Sequence, residues 1–162
     1  MNQYEKPFIG AWSLREYKIT NVDSGKEFYP FGDDAQGHII YTPEGIMSAT
    51  LMNPNRIQHS TDRATRMAFK EKIKMHGLDQ LTSEENLIVL TYLDASYGFV
   101  GYCGSFDADS EQVHHRVKQS FYPNFVGTTA TRDYRFKGDE LHLSAEAAGL
   151  RDQLTWQRVS HA

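Results

Sequence analysis

The feature that most constrains the fold is a run of five strand-like segments that begins at Tyr97 and continues almost to the end of the chain. The segments 97–106, 112–120, 129–136, 140–146 and 153–160 are rich in β-branched and aromatic residues and alternate with polar ones. The links between them are Asp107–Glu111, the longer Phe121–Gly127, Lys137-Gly138-Asp139 and 147–152. A parallel crossover needs a dozen or more residues, so links this short predict an antiparallel meander.

The first half supplies the remaining strands. Phe8–Thr20 has strand-like spacing, with Trp12, Leu14, Glu16 and Lys18 on one parity and Ala11, Ser13, Arg15, Tyr17 and Ile19 on the other. Neither parity is cleanly apolar, which leaves the facing of this strand open. Turn signals then crowd 21–37 around, at most, a short strand. Next comes a predicted hairpin, 38–42 and 46–52, turning at Pro43-Glu44-Gly45, with Met47, Ala49 and Leu51 on one face and Ser48 and Thr50 on the other.

Between the hairpin and the meander the period changes to helical. One helix is predicted from a Ser60 or Thr61 cap, with Asp62 in its first turn, to a stop at Gly77; Ala64, Met67, Ala68, Glu71 and Met75 share a face. A second starts at a Thr82/Glu85 capping box and places Leu87, Leu90 and Leu93 on one side.

Eight main strands can close into a small up-and-down barrel that holds side chains or one ligand. The predicted class is therefore all-β, an antiparallel barrel with one or two inserted helices over an opening or edge. An open sheet packed on two helices is the alternative. A chain of 162 residues fits one domain, 1–162, with its core at about 8–159 and the helical insertion at about 60–95. Gly98, Gly101 and Gly104 form no phosphate loop and are expected to permit strand bending or close backbone approach.

Quoted as they stand, the pieces PFIGAWSL, YPFGDDAQGHIIYTPEGIMS, GYCGSF, VHHRVKQSFYPNFVG and LTWQRV resemble the bacterial and fungal lipocalin-like domain family, within the calycin-type barrels. The distinctive combination is YPFG, IYTPEG, and Ser120, Pro123, Asn124 and Gly127 in S-x-x-P-N-x-x-G. The resemblance spans about 8–159 and implies that Trp12 closes one barrel end while Arg158 packs over it. Helical sequence between Leu51 and Tyr97 departs from the simplest lipocalin plan, in which a long helix follows the barrel strands.

The candidate chemistry centres on 112–118. Alternation puts Val113, His115 and Val117 on one face and His114, Arg116 and Lys118 on the other, so His115 is the inward candidate. A neutral imidazole beside apolar walls can move a proton as a catalytic base, contact a ligand without catalysis, or serve as a hydrogen-bonded core residue. Tyr122 and Asn124 are candidate ligand contacts at a mouth otherwise lined by Phe121 and Phe125, with capping of its own turn as the other use of Asn124. Tyr41, Tyr102, Tyr134 and Arg132 are further ligand-binding candidates.

Other chemistries lack their residues. His114 and His115 point oppositely, and His38, His59 and His142 have no metal-ligand spacing, so no metal and no cofactor is expected. Asp107 and Asp109, Glu84 and Glu85, and Asp33 and Asp34 read as turn and helix-start residues rather than a glycosidase pair. No G-x-S-x-G occurs, and Cys103, the single cysteine, has no identifiable base and cannot form an intrachain disulfide. A net charge of −4 disfavours nucleic acid, and 23% charged residues break up any membrane span. The N-terminus has no secretory-type apolar run, so the expected location is cytoplasmic.

Three function classes follow. The first is a hydrophobic-ligand barrel with cofactor-independent cyclase or isomerase activity on a polyketide- or terpenoid-like compound of secondary metabolism, using His115. The second is a non-catalytic carrier. The third is a filled structural barrel that pairs through an edge strand, as in a homodimer.

Overall fold

A computed structural model of the chain describes residues 1–57 and 62–159. By contacts the chain divides into two compact units, Met1–Pro54 with Phe99–Ala162, and Asn55–Gly98.

The first unit is a closed antiparallel barrel. Its strands are β1 (Gly10–Asn21), β2 (Glu27–Phe28), β3 (Gln36–Tyr41), β4 (Ile46–Met52), β5 (Phe99–Ala108), β6 (Gln112–Ser120), β7 (Thr129–Lys137), β8 (Glu140–Ala147) and β9 (Leu150–Arg158). β1, β3, β4, β5, β6, β7, β8 and β9 pair in that order, and β9 closes on β1 from Trp12↔Arg158 to Asn21↔Leu150. β2 is the short strand expected in 21–37 and adds a two-residue ribbon to β1. The β9–β1 pairing closes the sheet, which distinguishes the barrel from the open-sheet alternative.

Alternation sorts the side chains as the sequence predicts on β4 and β6. Met47, Ala49 and Leu51 are buried between Ser48 and Thr50, and Val113, His115 and Val117 are buried while Arg116 and Lys118 face out. Gly45 has φ of +80°, the left-handed conformation that the β3–β4 turn requires. Gly104 serves close approach: a Cβ there would overlap the Arg116 carbonyl oxygen, beside a register shift between Cys103 and Gly104.

β1 explains its own mixed sequence. Its pairing with β9 shifts between Leu14 and Glu16, so Arg15 is an extra residue and the inward parity changes. Trp12 and Leu14 belong to the core before the bulge, and Tyr17 belongs to it afterwards.

Phe8 is not the start of β1, as the sequence pattern suggested. It ends a 3-10 turn, Lys6–Phe8, entered through Pro7, and plugs the barrel. Its ring meets those of Tyr41, Tyr134 and Phe136 edge-on at centroid distances of 5.2, 4.9 and 5.0 Å. Trp12 is fully buried beside this plug and donates its indole N–H to the Phe8 carbonyl at 2.8 Å. Large aromatics therefore pack this end of the barrel.

The second unit holds the helices α1 (Arg63–His76) and α2 (Ser83–Tyr97). Asp62 caps α1 by accepting the Thr65 N–H, which moves the start one residue past that expected; the Ser60 and Thr61 caps lie outside the described residues. Gly77 ends α1, and Thr82 and Glu85 form the predicted capping box on α2. The predicted stripe on α1 is corrected: Thr65, Ala68, Phe69 and Lys72 line the groove toward α2, and Met67 and Met75 are exposed. Lys72 there bonds both carboxylate oxygens of Glu85 at 2.7 Å. The Leu87, Leu90 and Leu93 side of α2 is exposed. No described helix is long and apolar enough to cross a membrane.

Candidate functional site: a cavity with a buried histidine

Away from the aromatic plug, the barrel holds a cavity of about 430 Å³. That lies within the roughly 300–1,000 Å³ of small-molecule sites. Ile39, Ala49, Leu51 and Val100 form one apolar wall, and Leu143, Leu154 and Trp156 another. Polar groups reach it from a few places: Tyr102 and His115, Arg132, Tyr17 and Asp152, and Tyr122 and Asn124.

His115 comes inward because β6 alternates, and its side chain is fully buried. Both ring nitrogens are engaged by tyrosines, Nε2 2.8 Å from the Tyr41 hydroxyl and Nδ1 3.0 Å from that of Tyr102. Burial pushes the imidazole down to about 3, aided by the positive charge of Arg132 and then by His114. The ring is accordingly neutral near pH 7 and offers one N–H and one lone pair. Burial also raises both phenols above the ordinary tyrosine value, Tyr41 strongly, so neither is a phenolate.

Arg132 projects from β7 into the cavity wall and donates to the Thr131 carbonyl at 2.9 Å. Among the described residues it has no ion pair within 4.0 Å. On β1 and β9, the Tyr17 hydroxyl donates to Asp152 at 2.7 Å. Burial first, and then this bond, lift the Tyr17 phenol well above its usual range. Trp156 is also nearly fully buried, and its Nε1–H has no partner among the described residues.

The β6–β7 connection builds part of the wall. Its 3-10 turn, Pro123–Phe125, has no side-chain bond from the capping position, Tyr122, and Tyr122, Asn124 and Phe125 line the cavity. The Phe125 ring meets that of Tyr102 edge-on at 5.2 Å. Phe121 is half exposed and packs against Phe99 and Tyr122.

The expected site residues thus fall into three groups. His115, Tyr102, Tyr122, Asn124 and Arg132 share the cavity. Tyr41 stands behind it, joined through His115. Tyr134 belongs to the aromatic plug and donates its hydroxyl to the Asp109 carbonyl at 2.7 Å. The Trp12 and Arg158 pair is formed at the plugged end, with the Arg158 guanidinium carbon 4.0 Å from the indole centroid.

Tyr17 and Asp152 also line the cavity, and the sequence pattern does not single them out. The mixed parity of β1 was the available signal for Tyr17, since a strand that swaps its apolar face contains a bulge. Asp152 was hidden because 147–152 reads as a loop, whereas the β8–β9 turn needs only Ala148 and Gly149, both at positive φ, and 150–152 are strand.

The other histidines do not assemble a metal centre among the described residues. His114 faces away from His115, with Nδ1 3.1 Å from the Thr131 hydroxyl and Nε2 3.4 Å from Asp109. His142 lies beside Glu140 and Thr155, and His59 lies outside the described residues.

The lipocalin-like domain model matches residues 9–159. A 4'-hydroxy-3'-methoxypropiophenone carrier protein of Aspergillus oryzae is 32% identical over 120 residues, covering 70% of this chain and 96% of the relative. A de novo fluorescence-activating β-barrel aligns with a TM-score of 0.42 and 14% identity over 98% of this chain and 100% of its own. Fatty-acid-binding protein 1 of Echinococcus granulosus aligns at 0.41 with 11% identity, over 96% and 99%.

Proposed function

The chain belongs to the lipocalin-like domain family, and from that premise we propose that its barrel is a non-catalytic carrier for a small aromatic ketone. The observation that carries this reading is the cavity of about 430 Å³, with apolar walls and only a few polar groups. Burial of an aromatic ring against Ile39, Leu51, Val100 and Leu154 supplies affinity at about 25 cal/mol per Å² of apolar surface, and the polar groups set orientation. The relative named for carrying 4'-hydroxy-3'-methoxypropiophenone supports the choice of an aryl ketone.

The geometry favours carriage over proton-transfer catalysis. A general base works best with its proton affinity near the working pH. His115 is pushed down to about 3, and both of its nitrogens are held by phenols. Such a ring makes a fixed polar contact more readily than it makes a base.

Titration with 4'-hydroxy-3'-methoxypropiophenone, followed by quenching of tryptophan fluorescence, tests the reading. Saturable one-to-one binding and recovery of the unchanged ketone after prolonged incubation are expected. Val100→Trp, which puts an indole into the cavity, should weaken binding by at least tenfold while the protein stays folded. Conversion of the ketone by the wild type, abolished in His115→Gln, would instead favour cyclase or isomerase chemistry.

A further inference from the structure

Resting on the carrier reading, we infer that Tyr41 locks the tautomer of His115 and thereby fixes the Tyr102 hydroxyl as a donor that takes the carbonyl oxygen of the bound ketone.

The three groups form one chain, Tyr41 hydroxyl to His115 Nε2 at 2.8 Å and His115 Nδ1 to Tyr102 hydroxyl at 3.0 Å. A neutral imidazole has one N–H and one lone pair, so one phenol must donate a hydrogen bond to the ring and the other must accept one from it.

Tyr41 decides which. It is 1% exposed, with Phe8 and Phe106 rings packed edge-on against it, and its hydroxyl has no hydrogen-bond partner but His115 among the described residues. If it accepted from Nε2–H, its own hydrogen would be stranded in an apolar core. Donation to the Nε2 lone pair leaves nothing stranded on that side. The ring proton then sits on Nδ1, and this N–H donates a hydrogen bond to the Tyr102 oxygen. Tyr102 lines the cavity and makes no other hydrogen bond among the described residues, so its hydrogen is left for whatever occupies the cavity.

The opposite arrangement would spend the Tyr102 hydrogen on His115 and leave Tyr102 able only to accept, which suits an alcohol donor. The two tautomers thus specify opposite ligand chemistry at one position. The surroundings agree with an oxygen acceptor: Arg132, which lines the same cavity, has no ion pair among the described residues and adds positive charge. Tyr41 acts here as a positioning residue, one shell removed from the ligand.

Long-range proton–nitrogen NMR on ligand-free, nitrogen-15-labelled protein reads the tautomer directly. A protonated Nδ1 and a pyridine-like Nε2 are expected, and a protonated Nε2 would overturn the inference whether or not any ligand binds. The second measurement compares 4'-hydroxy-3'-methoxypropiophenone with its analogue in which the carbonyl is a methylene. Wild type should prefer the ketone by about tenfold, Tyr102→Phe should bind both alike, and Tyr41→Phe should lose the Nδ1–H preference together with part of the discrimination. Equal binding of the two compounds by wild type would sink the inference while sustaining the carrier reading. Binding of neither would sink the carrier reading and the carbonyl contact together, with the NMR spectrum still deciding the tautomer.

Discussion

Arg158 lies over Trp12, its guanidinium carbon 4.0 Å from the indole centroid, and also donates to the carbonyls of Ile9 at 2.8 Å and Pro7 at 2.6 Å. One side chain therefore ties the last strand to the 3-10 turn that carries Phe8. Arg158→Ala removes a cation–π contact and two charge-assisted bonds, and should lower stability by about 2–3 kcal/mol. Urea unfolding measures this. Ketone affinity should change by less than about twofold, because Arg158 is absent from the cavity wall.

The β5–β6 bulge gives a test of backbone approach. Gly104→Ala would press a methyl into the Arg116 carbonyl and the Lys118 amide, neither of which can move without disturbing the ladder. The expected loss is about 3 kcal/mol or more. Gly101→Ala first meets the ring of Phe99, a side chain rather than backbone, and should cost about 1 kcal/mol. Equal losses at the two positions would contradict this account.

The difference between what sequence could and could not reveal follows from those local irregularities. Alternation read β4 and β6 correctly because both are regular across their inward residues, and so it found His115. It could not assign β1, where an extra residue at Arg15 reverses the faces and sends Tyr17 inward. Ala148 at φ of 51° carries no turn signal of the Asn-Gly kind, so the tightness of the β8–β9 turn, and with it the strand position of Asp152, was hidden. Phe8 and Tyr134 show a further limit: both read as strand aromatics, but one ends a 3-10 turn and the other shares its plug rather than the cavity. Whether an inward aromatic fills a core or lines a cavity depends on the opposing wall, which no local pattern contains.

In the helical unit, Thr82 accepts the Glu85 N–H at 3.2 Å while the Glu85 carboxylate accepts the Thr82 N–H at 2.8 Å. Thr82→Ala abolishes half of this exchange and should destabilise the start of α2 by about 1 kcal/mol. Amide exchange in the first turn of α2 should quicken by about fivefold. Thr82→Ser, which keeps the hydroxyl, should restore most of the protection.

His115 also makes a specific contribution to acid sensitivity. In the unfolded chain its imidazole takes up a proton as pH falls through about 6.5, whereas in the barrel burial holds it neutral down to about 3. Across that window the unfolded state binds more protons, so lowering the pH favours unfolding. The stabilisation is fully present above about pH 6.5 and is lost progressively toward about pH 3. Between about pH 7.5 and about pH 5, below the range of most phenols and thiols and above that of most carboxylates, the expected loss is about 2 kcal/mol. Urea midpoints at those two pH values measure it. His115→Gln should be less stable at neutral pH, because it disturbs the bonds to Tyr41 and Tyr102, yet its stability should fall by much less over the same interval. If the variant loses as much as the wild type, the acid sensitivity resides elsewhere and His115 is not held neutral by the barrel.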